Sequence, residues 1–281
     1  MASDRKMTDV LPAEASESAR RDPPNYLYKY RSMATDSLRY TRKIVVDSEL
    51  YFASPAAFND PFDQQPAISV ESTLEERERY YRSQLETHYP DATEAEREAE
   101  FQRRLGFTEE ERLADTQRAF LETNDKGSLC SLSAKNDSVL MWSHYAANHT
   151  GICLRFKADP EGMFGLAAEV RYQCERPLIN RIKIATAPKL DLRPYVDALL
   201  TKADFWSYEE EWRILRTAPA DAVPFFPGDL DGIILGARIT PEAVAALTEW
   251  IRERERHPLQ LFRAVPRHDA FRLDIVPLGT P

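Results

Sequence analysis

Apolar and polar residues alternate in several short runs of the chain, the pattern of a half-buried strand. The first run, Leu27-Tyr28-Lys29-Tyr30-Arg31, predicts a strand with Tyr28 and Tyr30 on one face and Lys29 and Arg31 on the other. Further strands are expected at 49–53, 128–133, 151–156, 168–172, 211–215, 232–236, 259–265 and 271–276. A short helix is expected over 35–44, with Thr35 or Asp36 as its N-cap. Residues 138–148 read as helical or irregular, 191–202 as helical, and 241–254 as an amphipathic helix opened by Thr240 with Pro241 in its first position. Asn59-Asp60-Pro61 and Asn124-Asp125-Lys126-Gly127 mark turns.

Residues 72–123 differ in texture. Three capping-box patterns follow one another, Ser72 with Glu75, Thr93 with Glu96 and Thr108 with Glu111. The sparse apolar positions, Leu74, Tyr81, Leu85, Phe101, Leu105, Leu113 and Phe120, are helically spaced. The segment reads as a charged helical insertion of two or three amphipathic helices, each packing by one stripe. Residues 1–25 are rich in charged and small residues, end at Pro23-Pro24, and read as a disordered arm. The rest, 26–281, reads as a single α+β domain with a mixed, mainly antiparallel sheet, because strands and helices follow no regular βαβ rhythm. No repeat of fixed period occurs.

With 281 residues and 43% apolar composition, the chain can bury a substantial core. Its net charge of −9 speaks against an extended nucleic-acid surface. No apolar run is long enough for a membrane span, and the first 25 residues lack the apolar stretch of a secretory signal. Cys130, Cys153 and Cys174 are widely spaced and odd in number, which suits a reducing cytoplasm better than a disulfide framework or a zinc site. No glycine-rich phosphate loop is present.

Four clusters concentrate reactive groups. Lys29 and Arg31 can clamp a phosphate or pyrophosphate, with Tyr28 and Tyr30 beside them. Phe58-Asn59-Asp60-Pro61-Phe62-Asp63 is a rigid turn, equally consistent with structure or with ligand contact. Trp142, His144 and Tyr145 suit stacking on a planar ring and hydrogen bonding to it; His144 and His149 lack the spacing and carboxylate of a metal site. In Trp206-Ser207-Tyr208-Glu209-Glu210-Glu211-Trp212-Arg213, alternation places Glu209, Glu211 and Arg213 on one face and Glu210 and Trp212 on the other. Two adjacent carboxylates repel, so one is expected to hold its proton unusually well unless Arg213 or a ligand compensates.

The ordered strings LYKYR, LYFASPAAFNDPFD, LCSLSAKNDSVLMWSHYAANHTGICLRF, KADFWSYEEEWRIL and GIILGARI resemble the bacterial domain-of-unknown-function family 2971, from about Tyr26 to about Ile239. A more distant resemblance is to ADP-ribosyltransferases of the toxin type. Those carry, in chain order, a basic residue on a first strand, a Ser-x-Ser strand and a Glu-x-Glu turn. Lys29 and Arg31, Ser131-Leu132-Ser133 and Glu209-Glu210-Glu211 follow that order. The opening is similar to that of DNA-modifying members, with Lys29 where their His stands.

This resemblance implies an ADP-ribosyltransferase-like fold and cleavage of the nicotinamide–ribose bond of NAD as substrate, in a toxin or phage-defence setting. It makes Glu211 the carboxylate that stabilises an oxocarbenium-like ribose, and Glu209 the group that activates the nucleophile. Arg31 or Lys29 would hold the pyrophosphate, and Ser131 and Ser133 would brace Glu211 and the ribose. Trp142 or Tyr145 would stack on the nicotinamide, with Tyr30 and His144 also at the cofactor. The acceptor stays open among protein, nucleic acid, small molecule and water. Two other readings compete. One is a nucleotide-sensing module that meets a protein partner through the insertion or the arm. The other is a hydrolase or nuclease with Asp60, Asp63, Glu209 and Glu211 around Mg²⁺.

Overall fold

The structure, a computed structural model, describes residue 10 and residues 21–189, 191–254 and 257–279. Strand β1 (Tyr26–Arg31) is followed by helix α1 (Thr35–Arg42) and strands β2 (Glu49–Phe52) and β3 (Ala67–Ile68). Three helices come next, α2 (Leu74–His88), α3 (Glu94–Leu105) and α4 (Glu109–Asn124). Then follow β4 (Ser128–Ser133), α5 (Val139–Tyr145), β5 (Ile152–Lys157), β6 (Ala168–Glu169), β7 (Arg171–Gln173) and β8 (Leu178–Ile179). Helices α6 (Arg181–Thr186) and α7 (Arg193–Leu199) lead to β9 (Thr201–Ala203) and β10 (Glu211–Arg216). Strands β11 (Asp221–Pro224) and β12 (Leu230–Leu235), helix α8 (Pro241–Glu253), and strands β13 (Gln260–Pro266) and β14 (Leu273–Gly279) complete the described chain.

Eight strands form one sheet in the order β14-β13-β12-β5-β1-β4-β10-β6. Every neighbouring pair is antiparallel except β12 and β13, which α8 connects as the crossover that a parallel pair requires. Thr240 caps α8 through the Ala243 N–H, and Pro241 supplies a first turn that needs no donor. The fold is therefore α+β on a mixed, mainly antiparallel sheet. No described helix is long and apolar enough to cross a membrane.

Period two sorts the central strands between two faces. Leu27, Cys130, Leu132, Ile152, Leu154, Phe156, Trp212 and Ile214 point to one side, where Leu247 and Trp250 of α8 join the main core. The other face carries two smaller clusters. One centres on Tyr30, Trp142 and Cys153 under α5, the other on Leu129, Leu215, Val196 and Leu200 under α7.

The helical insertion has three helices. Thr93–Glu96 and Thr108–Glu111 cap as expected; the first box forms one residue later, Thr73 with Glu76. Tyr80, Tyr81, Leu85 and Phe101 pack with Ile182 of α6, while Leu74 is left exposed. The helix expected over 191–202 stops at Leu199, because residues 201–203 pair in parallel with β7. The expected strand 168–172 divides into β6 and β7, which pair with different partners. The arm expected at 1–25 lies largely outside the described residues; Val10 bridges Arg216 and is buried in the main core.

Asp229 precedes β12 at the end of a 3₁₀ turn. Burial, and then Asp159, raise its carboxyl to about 6 against the pull of Lys157. An unfolded chain releases that proton near pH ~4. The folded chain binds more protons between these values, so this group's contribution to stability falls as pH rises from about 4 through 6. Asp229→Asn is expected to flatten that decline and to leave the protein more stable than wild type at neutral pH. Urea midpoints measured across this pH range check it.

Candidate functional site

The antiparallel register of β4 and β10 pairs Ser133 with Glu211 and Ser131 with Arg213. All four side chains therefore stand on the same sheet face, between the cluster under α5 and the cluster under α7. On that face a cavity of about 170 Å³ is lined by Tyr28, Tyr30, Ser131, Ser133, Tyr145, Lys202, Glu209 and Glu211, with Phe58 and Asn59 from the loop after β2. It opens where the sheet splits. β1 pairs with β5 along six residues but with β4 only at Tyr28 and Ser133. Lys29 reaches through this gap to donate to the Ser131 carbonyl at 2.8 Å.

A change of backbone direction aims the carboxylates. Glu209 ends the 3₁₀ turn Asp204–Glu209, Glu210 takes a left-handed conformation with φ 41°, and Glu211 begins β10. A non-glycine residue held there costs about 1–2 kcal/mol. The kink leaves Glu210 exposed beside Lys135 and turns Glu209 and Glu211 into the protein, where both are buried. The Ser133 hydroxyl donates to the Glu209 carbonyl at 2.6 Å and accepts from the Lys135 N–H, which locks the turn onto β4.

Around the two carboxylates lies a closed charge network. The Lys202 ammonium contacts Glu209 Oε2 at 2.5 Å, Glu211 Oε2 at 3.1 Å and Asp63 Oδ2 at 3.7 Å. The Arg213 guanidinium, fully buried, donates to Glu211 Oε1 through Nε at 2.7 Å and to both Asp63 oxygens through Nη2 at 2.9 and 2.8 Å. Its Nη1 donates to the Leu199 carbonyl, and Tyr172 accepts the Glu211 N–H. Tyr145 donates to Glu209 Oε1 at 2.7 Å. Three carboxylates thus face two cations, and the fully ionised network carries one net negative charge toward the cavity.

The environments of the two glutamates push them apart. Burial raises Glu209 and the Glu211 charge adds to this, so despite Lys202 its carboxyl lies above the ordinary value. Burial also works to raise Glu211, but Arg213 and then Lys202 outweigh it and hold the carboxyl below its ordinary value. Desolvation raises Asp63 more strongly than Arg213 lowers it. Glu211 is therefore the fixed charge and Glu209 the group able to exchange a proton. The Ser131 hydroxyl is buried in the lining and lies near Glu211, but it makes no hydrogen bond of good geometry.

Tyr145 favours the charged form of Glu209, so Tyr145→Phe is expected to raise the Glu209 pKa further. A carbon-13 titration of the Glu209 carboxyl reads this directly; an unchanged midpoint would show that the hydroxyl contributes nothing.

Glu209, Glu211, Ser131, Ser133, Tyr145 and Lys29 meet at this cavity as the sequence leads one to expect. Other expected residues fall elsewhere. Arg31 points to the opposite sheet face, into a separate cavity of about 260 Å³ with Tyr40, Lys43, Glu49 and Tyr51; only Lys29 borders both. Trp142 cannot stack on a ligand, since it is fully buried with its indole N–H given to the Asn136 carbonyl. The Tyr30 ring lines the cavity, but its edge-to-face packing on Trp142 and its bond to the Lys135 carbonyl give it a structural part. His144 is exposed and stacks on Tyr208 outside the lining.

Asp60 accepts from the Trp206 indole, so it fastens one loop to another. The Lys202 ammonium occupies the point between Asp63, Glu209 and Glu211 that a Mg²⁺ ion would need. Among the described residues, no group of three or more His, Cys, Asp or Glu is arranged to hold a metal. Lys202 and Tyr172 were not singled out by sequence reasoning. Lys202 lay inside a predicted helix, and no local signal sets it apart from other surface-type lysines.

No curated protein and no solved structure matches the chain. A family model described as Protein of unknown function (DUF2971) matches residues 141–214, the segment that carries Tyr145, Lys202, Glu209, Glu211 and Arg213, so this part of the chain is similar to that family.

Proposed function

We propose that the cavity cleaves the nicotinamide–ribose bond of NAD and transfers ADP-ribose to an acceptor. The observation that carries this reading is the unequal pair of buried carboxylates. Glu211 is held ionised by Arg213 and Lys202, with the Ser131 hydroxyl beside it, and Glu209 holds its proton more readily. The bond between ribose C1′ and the ring nitrogen breaks with its electron pair leaving on nicotinamide. The ribose becomes oxocarbenium-like, and a fixed carboxylate stabilises that developing charge. The acceptor's lone pair then bonds to C1′, and its proton passes to Glu209. With water as acceptor the product is free ADP-ribose.

Two further features support the reading. The excess negative charge of the network suits the cationic nicotinamide ring of NAD better than an anionic group. The 170 Å³ volume lies below the ~300–1,000 Å³ usual for whole drug-sized ligands, so it suits one end of a dinucleotide, with the phosphates outside. Lys29, at the gap between the two cavities, is then the cation best placed for the phosphates, in preference to Arg31. The Ser131 hydroxyl, beside Glu211 in the lining, is placed to meet a ribose hydroxyl.

The test is incubation of the purified protein with NAD labelled on the adenosine side, alone and with a cell lysate. Nicotinamide release, with label appearing as ADP-ribose or on a lysate component, supports the reading. Absence of turnover together with absence of NAD binding by calorimetry would end it and favour the non-enzymatic binding module.

A further inference from the structure

We propose that the cavity between the helical insertion and the β3–β8 ribbon binds an amphiphilic anion, an oxyanion headgroup carried on a short apolar body. This site shares no lining residue with the carboxylate cavity and does not depend on the function proposed there. Its volume is about 490 Å³, and Ser69, Val70, Arg77, Arg112, Leu113 and Leu178 are among its walls.

The two arginines come from different helices, Arg77 from α2 and Arg112 from α4, and converge on this one space. Each guanidinium has five N–H donors in a fixed fork. Arg77 uses Nη1 on the Ser72 carbonyl at 2.9 Å, and Arg112 uses Nη1 on the Phe107 carbonyl at 2.5 Å. The Nε of each is buried with no acceptor. Two carboxylates border the cavity, Glu71 and Glu109. Glu71 lies 3.5 Å from Lys183, and among the described residues neither glutamate forms an ion pair with either arginine. Two cationic forks thus line one cavity with neither held in an ion pair by its bordering carboxylates, and oxyanions match such forks bidentately. The N-terminus of α4 adds nothing to this argument, because Thr108 and Glu111 already cap it.

The rest of the lining gives the ligand its second character. Ile68, Leu113 and Leu178 present apolar surface to the same space, and Leu178 is 66% exposed. Water can serve the arginines but not this leucine. A molecule with a charged head and an apolar body serves both.

Calorimetry on the full chain with octyl phosphate, octanoate, inorganic phosphate and octanol tests the proposal. Octyl phosphate and octanoate are expected to bind saturably, with inorganic phosphate and octanol each about tenfold or more weaker. The tighter of the two octyl anions assigns the headgroup as phosphate or carboxylate. Arg77→Gln/Arg112→Gln is expected to weaken the octyl anions by about tenfold or more. Leu178→Ser, at an exposed position where folding is not at stake, is expected to weaken the octyl anions and leave inorganic phosphate unchanged. No saturable binding of either octyl anion overturns the proposal. Octanol binding as tightly as the anions, inorganic phosphate binding as tightly as octyl phosphate, or affinity unchanged in both variants would overturn it equally.

Discussion

Glu211→Gln is expected to lower the rate of nicotinamide release from NAD by about 10²–10³-fold, the scale seen when one preorganised electrostatic partner of a transition state is removed. The substitution keeps the shape of the side chain. The backbone of residue 211 stays tied to Tyr172 and to β4, and Arg213 keeps both oxygens of Asp63. What is lost is the fixed negative charge where the ribose would become positive. Because that charge matters most in the transition state, kcat is expected to fall far more than KM rises. Glu209→Gln is expected to behave differently. It removes the proton acceptor for the incoming nucleophile, so transfer to the acceptor falls more than NAD binding does. Thermal midpoints of both variants control for folding. Unchanged nicotinamide release in a folded Glu211→Gln protein would remove the carboxylate from the reacting carbon and the proposed reaction with it.

The second large effect is on stability. Arg213→Met is expected to cost about 3–5 kcal/mol in urea unfolding, because it strands buried charge rather than merely removing a contact. The guanidinium is fully buried and binds Asp63, Glu211 and the Leu199 carbonyl together. Without it, only Lys202 faces three carboxylates. Glu211 loses the strongest influence holding it ionised, so it takes up a proton at higher pH than before. Asp63→Asn/Arg213→Met is expected to recover part of the loss, since the double change removes one charge of each sign. A double variant no better than Arg213→Met would show that the arginine acts by packing and not by pairing with Asp63.

The capping boxes show how far local reading reaches. Thr93 with Glu96 and Thr108 with Glu111 depend on residues three apart and form as read. The first box slips from Ser72 to Thr73 because adjacent Ser and Thr are both able caps with a glutamate three residues on, and only packing of the helix chooses between them. Trp142 shows a different limit. A tryptophan beside His144 and Tyr145 has the chemistry to stack on a ligand, yet α5 turns Met141 and Trp142 into the core and leaves His144 in solvent. Which way so short a helix faces is decided by the sheet beneath it.

Alternation along single strands was enough to bring Ser131 and Ser133, and Glu211 and Arg213, each onto one side, because side-chain direction in a strand is a local property with period two, whereas Glu209 joins them through the left-handed turn at Glu210. Register and strand order are not local. That β4 lies against β10, that β1 parts from β4 after one pair, and that Arg31 therefore faces away from the carboxylates follow from pairing across more than 70 residues of chain. The partners that settle the charges are equally remote. Asp63 reaches Arg213 across 150 positions, and Lys202 enters through a strand that exists only because β7 pairs with it. The kinds of chemical group at the site are written in short strings of residues. Their protonation depends on burial and on charges brought from distant segments, and only the folded chain supplies those.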